Sequence, residues 1–114
     1  MPTPEGKVKN WLNNKLKQKF PDGWYYNTHQ GPYGKKGTPD VIACIHGLFI
    51  AIEVKVEDGK VTDLQSHQLK KIEKAGGLSF VLYGKDENFL NQNLDPINEV
   101  IETIEDVIAT IRGD

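Results

Sequence analysis

The chain has 114 residues, with 14 lysines and arginines against 16 aspartates and glutamates, so its formal net charge is −2 at pH 7. This length suits one domain, and a composition of 38% hydrophobic and 26% charged residues is typical of soluble globular proteins. The lack of any apolar run of about 18 residues excludes a membrane span, and we expect no membrane partner. With no apolar secretory signal and only one cysteine, Cys44, we expect a cytoplasmic protein.

The N-terminal part predicts a helix followed by a short strand. The helix should cover residues 4–20, because Thr3 is a good N-cap, Pro4 suits the first helical position and apolar residues recur every four positions. These apolar residues are Val8, Leu12, Leu16 and Phe20. Residues 24–28 are typical of a short strand, and residues 30–38 form a loop rich in glycine and lysine.

The middle of the chain predicts a β-hairpin over residues 40–45 and 48–56. His46 and Gly47 would be its two turn residues, and a two-residue turn that ends in glycine favours type I′. A helix over residues 63–75 follows, because the stretch from Thr62 to Gln65 matches a capping box. Residues 78–83 form an apolar strand, which should pair in parallel with the second hairpin strand because a helix crosses over between them.

The C-terminal part predicts an irregular segment over residues 85–94 and a helix over 96–112. Isoleucines and valines form a stripe along this helix: Ile97, Val100, Ile101, Ile104, Val107, Ile108 and Ile111. The spacing of this stripe fits either packing on the core or a dimer interface. The width of the stripe favours packing on the core. The order α-β-β-β-α-β-α predicts one α/β domain over 1–114, with a mixed four-stranded sheet flanked by helices.

Charge is distributed unevenly along the chain. Residues 1–36 contain seven lysines and two acidic residues, whereas residues 95–114 contain six acidic residues and one arginine. The basic part could bind a polyanion such as nucleic acid, with the acidic part facing away from it. The alternative is that the lysines only form a solvated helix face.

The predicted hairpin register brings two carboxylates together. If Ile45 opposes Leu48, then Asp40 faces Glu53, with Cβ atoms about 5 Å apart. Carboxylates this close repel each other unless one is protonated or a cation lies between them, and hard oxygen ligands suit Mg²⁺ or Mn²⁺. Strand alternation places Lys55 on the same face as Glu53. The alternative is a structural ion pair, which adds little net stability.

Two further polar residues, Glu5 and Gln65, are candidates for the same site as Asp40 and Glu53. Glu5 lies in the middle of the apolar stripe of the first helix, so its carboxylate should face the sheet, although an acid in a first turn is also favoured by the helix dipole. Gln65 lies in the first turn of the second helix, where it serves the capping box or the site. Gln68 also faces inward and competes with it.

These residues resemble a known family. Pro39-Asp40 followed by Glu53-Val54-Lys55 resembles the PD-(D/E)XK nuclease superfamily, and the wider pattern resembles its VRR-NUC branch over about residues 5–83. That wider pattern includes Gly37-Thr38, Gly59-Lys60-Val61-Thr62, Gln65 and Ala75-Gly76-Gly77. The resemblance implies a restriction-endonuclease-like αβββαβ core and a metal-dependent phosphodiesterase acting on DNA. In this family a Glu on the first helix and a Gln on the second belong to the site. That Gln corresponds to Gln65, which stands eleven residues before Gly76.

The resemblance also implies a substrate and a partner. Stand-alone phage members cut branched DNA, including Holliday junctions, as homodimers, and members attached to larger repair proteins process flaps. This short chain resembles the stand-alone kind, so we expect a Holliday-junction nuclease in a phage or bacterial host cytoplasm, with no nucleotide cofactor. The alternatives are a flap or DNA-end nuclease, an RNA-cleaving relative, and a non-catalytic DNA-binding module.

The expected roles of the site residues follow from the same resemblance. Asp40, Glu53 and the Val54 carbonyl would hold one Mg²⁺ or Mn²⁺, and Glu5 would bind metal-ligated water or a second ion. Lys55 would orient the attacking water or stabilise charge on the phosphate, and Gln65 would position the water or the DNA backbone. From the sequence itself, two lysines of the glycine-rich loop before Asp40 are candidates for contact with DNA phosphates, Lys35 and Lys36; the alternative is a mobile, solvated loop.

Overall fold

A computed structural model describes residues 3–28 and 36–114. Its elements are α1 (Pro4–Lys19), β1 (Trp24–Asn27), β2 (Val41–Ile45), β3 (Leu48–Lys55), α2 (Asp63–Lys74), β4 (Leu78–Tyr83), α3 (Glu87–Asn93), a 3₁₀ helix (Asp95–Glu99) and α4 (Ile101–Arg112). The strands form one sheet in the order β1-β2-β3-β4, antiparallel except for the parallel pair β3–β4. The predicted mixed four-stranded sheet flanked by helices is confirmed. Within the described ranges, no helix combines the length and apolarity needed to cross a membrane.

The hairpin between β2 and β3 has the register that the sequence predicts. Ile45 pairs with Leu48 and Val41 pairs with Ile52. The turn residues His46 and Gly47 both have positive φ angles, 50° and 86°, as a type I′ turn requires. Continuing the same register by one residue places Asp40 opposite Glu53.

The two faces of the sheet are covered by different helices. The main core lies on the α1 face, where alternate residues of β2 and β3 meet the apolar stripe of α1. Leu12 and Leu16 are fully buried there. Helix α2 covers the other face over β3 and β4, with Leu69 as its buried residue. The ends of the two helices are therefore fixed relative to the same strands.

Each of these helices begins at a cap that the sequence predicts. Thr3 Oγ1 accepts a hydrogen bond from Gly6 N at 3.0 Å, and Pro4 takes the first helical position of α1. At α2 the capping box is complete, because Gln65 N donates to Thr62 Oγ1 and Thr62 N donates to Gln65 Oε1. The first turns of both helices, which carry Glu5 and Gln65, are thereby held in place.

The C-terminal part differs from the prediction in two ways. The segment predicted as irregular contains α3, capped by Asp86 Oδ1, which accepts from Phe89 N; Leu90 is fully buried. The single helix predicted over 96–112 is instead a 3₁₀ helix and α4, separated at Val100, whose φ of −114° and ψ of 5° leave the α-helical region.

The C-terminal apolar stripe reaches the core only at its beginning. Ile97 in the 3₁₀ helix is 4% exposed, but α4 has no buried residue. Val107 and Ile111 are 54% and 79% exposed. Ile101, Ile104 and Ile108 are partly buried. The expectation that the whole stripe packs on the core is therefore wrong.

Helix α4 instead rests against the hairpin turn, which gives a stability prediction. A Cβ on Gly47 would overlap Ile108 Cδ1, whereas a Cβ on Gly76, which also has positive φ, would meet nothing within 4 Å. We expect Gly76→Ala to lower the free energy of unfolding by about 1–2 kcal/mol through backbone strain alone. Gly47→Ala should cost about 0.5–1.5 kcal/mol more, because the end of the Ile108 side chain must also leave its rotamer. Urea unfolding measures both, and equal losses would show that α4 does not pack on this turn.

Candidate active site

Three carboxylates meet at one end of the sheet. One carboxylate oxygen from each of Glu5, Asp40 and Glu53 lies within 4.8 Å of the other two. Asp40 and Glu53 are 4% and 2% exposed, and Glu5 is partly buried. They come from the first turn of α1, the residue before β2 and the interior of β3. The structure thus brings together the three acidic residues that the sequence singles out.

Asp40 is held by the backbone on both sides of β2. Its Oδ2 accepts a hydrogen bond from Val54 N at 2.8 Å, so a side chain continues the β2–β3 ladder beyond the last paired residues. On the β1 side, Thr28 N donates to the Asp40 carbonyl at 3.0 Å and Thr28 Oγ1 donates to the Pro39 carbonyl at 2.6 Å. The backbone around Asp40 is therefore held by Thr28, and its carboxylate is oriented by β3.

Glu53 has one satisfied oxygen and one orphaned oxygen. Its Oε1 accepts from Gln65 Nε2 at 3.0 Å and lies 3.7 Å from Lys55 Nζ. Its Oε2 is buried and has no hydrogen-bond partner within the described ranges. A buried acceptor without a donor is costly, so it indicates a cation or water that the protein chain does not supply.

The Gln65 side chain serves both roles that the sequence left open. Its oxygen closes the capping box at Thr62, and its nitrogen donates to Glu53. The amide that reaches the site is therefore that of Gln65 and not that of Gln68, which is partly buried elsewhere on α2.

Lys9 is a site residue that the sequence analysis missed. Its Nζ lies 3.0 Å from Asp40 Oδ1, and its side chain is 32% exposed. The available signal was its position four residues after Glu5, which places both on the same side of α1. It was hidden among the other lysines of this helix, which suggested a solvated face.

The two loop lysines are not part of this cluster in the described structure. Lys36 is exposed, and Lys35 lies outside the described residues. Their contact with DNA phosphates stays a prediction. The Val54 side chain is fully buried and its N–H binds Asp40, whereas the metal contact of its carbonyl also stays a prediction.

The electrostatics of the cluster fit a divalent cation. The pKa of Glu53 is raised from 4.5 to about 8, first by burial and then by the negative charge of Asp40, while the charge of Lys55 lowers it. Burial and the neighbouring carboxylate thus disfavour the charged form of Glu53. Three converging carboxylates with an orphaned buried oxygen form the hard donor set that Mg²⁺ and Mn²⁺ prefer.

The raised pKa of Glu53 predicts how stability depends on pH. Because the folded state binds this proton more tightly than the unfolded state, its contribution to stability is present below about pH 4.5 and is lost as the pH rises towards 8. We expect Glu53→Gln to remove this loss, since glutamine cannot ionise. Denaturant unfolding in EDTA from pH 5 to 9 measures it, with the exposed Glu57→Gln as control. Parallel curves for the wild type and Glu53→Gln would contradict the assignment.

Comparisons with known proteins agree with the fold. The sequence model of the VRR-NUC domain matches residues 2–86. A solved structure described as "VRR_NUC domain" has 22% identity and a TM-score of 0.66, covering 81% of this chain and 98% of that chain. A second, "VRR_NUC domain protein", has 19% identity and a TM-score of 0.66, covering 83% and 91%. A search of curated proteins gives no match. The chain belongs to the VRR-NUC family of nuclease domains.

Proposed function

We propose that this chain is a Mg²⁺- or Mn²⁺-dependent deoxyribonuclease that hydrolyses phosphodiester bonds in branched DNA, with the Holliday junction as its preferred substrate. The observation that carries the proposal is the cluster at the end of the sheet, where three carboxylates meet beside Lys55 and one buried oxygen of Glu53 lacks a partner. Membership of a nuclease domain family supports DNA as the substrate.

The cation would be held by Asp40, Glu53 and the Val54 carbonyl, with Glu5 binding it through water or binding a second ion. Bound there, it supplies Lewis acidity that polarises the scissile phosphate and lowers the pKa of water. The chain prepares this position in advance, because the backbone N–H of Val54 orients Asp40 and the Gln65 amide orients Glu53. Little reorganisation is then needed when the cation and DNA arrive.

Lys55 supplies positive charge beside this position. Its side chain is 14% exposed, and its Nζ lies 3.7 Å from Glu53 Oε1. The partly buried ammonium group is held next to the carboxylates without being neutralised by a short ion pair. In the proposed reaction it orients the attacking water or stabilises the negative charge that develops on the phosphate.

A symmetric dimer would suit the cleavage of branched DNA. A four-way junction contains two equivalent strands to cut, and a twofold dimer presents two equivalent sites. The exposed stripe of α4 supports an interface there, since Val107 and Ile111 are exposed apolar residues on one helix. We therefore propose a homodimer through α4.

Cleavage assays test the nuclease proposal. We expect metal-dependent cutting of a labelled four-way junction in Mg²⁺ or Mn²⁺, with none in EDTA. Asp40→Asn and Lys55→Ala should each lower the rate by at least about 100-fold, because each removes charge stabilisation from the transition state. The matched control is Lys74→Ala, which changes an exposed lysine in the last turn of α2, at the other end of this helix from Gln65.

The substrate that is cut fastest distinguishes the proposed junction nuclease from the related functions. Faster cutting of flaps, ends or RNA than of four-way junctions would replace the junction preference with one of those activities. Tight junction binding without cutting would indicate a DNA-binding module. Full activity of both Asp40→Asn and Lys55→Ala would contradict the assigned site.

Light scattering tests the dimer. We expect a species of twice the 12.8 kDa chain mass, and we expect the double variant Val107→Glu/Ile111→Glu to be monomeric. Both residues are more than half exposed, so the variant should keep the stability of the monomer fold. A 12.8 kDa wild-type species at high concentration, both with and without junction DNA, would contradict the dimer.

A further inference from the structure

We propose that Lys9 is an internal counter-cation of the metal site: its ammonium group occupies Asp40 Oδ1 in the metal-free protein and leaves this oxygen when a divalent cation binds. The inference rests on the proposed function, because it takes Asp40 as a metal ligand. It assigns to Lys9 a role in charge balance at the site, although Lys9 lies outside the Asp40, Glu53 and Lys55 motif.

The two oxygens of Asp40 have different kinds of partner. Oδ2 accepts from the backbone N–H of Val54 at 2.8 Å, in the interior of β3. Oδ1 lies 3.0 Å from Lys9 Nζ, at the end of a flexible side chain. The backbone partner cannot move without breaking the strand, whereas the ammonium group can turn away. Oδ1 is therefore the oxygen that Asp40 can offer to another cation.

Exposure shows which partner of this ion pair can move. The Lys9 side chain is 32% exposed and the Asp40 side chain is 5% exposed. The ammonium group can rotate into water, where it is well solvated, without leaving a cavity in the core. Asp40 would remain in place, because its carbonyl and Oδ2 are hydrogen-bonded to β1 and β3.

The ion pair between Lys9 and Asp40 offsets part of the negative charge of the three carboxylates. Three carboxylates lie within reach of one another, and the two ammonium groups beside them are divided: Lys55 lies nearest Glu53, and Lys9 lies nearest Asp40. Lys9 thus offsets the negative charge of Asp40 while no metal is present. Once released, it stays one helical turn from Glu5 at the mouth of the site, where a DNA phosphate would arrive.

Metal titration without DNA tests the exchange. Mn²⁺ is titrated calorimetrically into the wild-type protein and into Lys9→Met, which keeps the side-chain length and removes the charge. We expect Lys9→Met to bind Mn²⁺ about 5- to 50-fold more tightly, because one positive charge within a few ångströms of the cation has been removed. Lys9→Arg keeps the charge and should bind nearly as the wild type does. Lys7→Met is the matched control, since Lys7 is an exposed lysine of the same helix.

The outcomes separate this inference from the proposed function. A merely structural ion pair would lower the stability of Lys9→Met without tightening Mn²⁺ binding, and that result would overturn the exchange while leaving the metal site intact. Mn²⁺ binding to Lys9→Met but not to the wild type would support the exchange. If neither protein binds Mn²⁺, or if Asp40→Asn binds it as well as the wild type, the metal site itself fails and the inference fails with it.

Discussion

The hydrogen bond from the Val54 N–H to Asp40 Oδ2 is the interaction on which the site depends. It lets a carboxylate take the place of a backbone acceptor at the end of the β2–β3 ladder, directly beside Glu53. Two buried acids at such a distance are unfavourable in an isolated fold, and the raised pKa of Glu53 expresses that cost. A cation that both acids can bind turns the same arrangement into a favourable one.

The two helices complete the site because both begin at this end of the sheet. Thr3 and Thr62 cap α1 and α2, so Glu5 and Gln65 in the first turns are directed at the carboxylates from opposite faces. The N-terminal ends of helices carry partial positive charge, which favours nearby anions. Helix capping and the carboxylate cluster therefore share a residue, because Gln65 closes the capping box and also donates to Glu53.

Much of this arrangement could be predicted because it follows from short-range rules. The two-residue turn fixes the hairpin register, and that register alone places Asp40 opposite Glu53. A capping box fixes the start of α2 and hence the place of Gln65. The choice of Gln65 over Gln68, and the roles of Glu5, Lys55 and Gln65, came from the family resemblance.

What could not be predicted depends on how elements pack. The contact of Lys9 with Asp40 requires the placement of α1 over the sheet, which helix periodicity does not give. Helix α3 has a mostly polar sequence and is held mainly by Leu90, so no apolar stripe marks it. The break at Val100 lies inside a regular isoleucine pattern, and only the burial of Ile97 against the core reveals it.

Anomalous diffraction from crystals grown with Mn²⁺ would show directly whether Asp40 and Glu53 jointly bind a divalent cation. We expect a strong anomalous peak about 2.0–2.3 Å from a carboxylate oxygen of each residue, with Lys9 Nζ no longer at Asp40 Oδ1. No peak at this cluster in well-ordered crystals at millimolar Mn²⁺, or a peak only elsewhere on the protein, would contradict it.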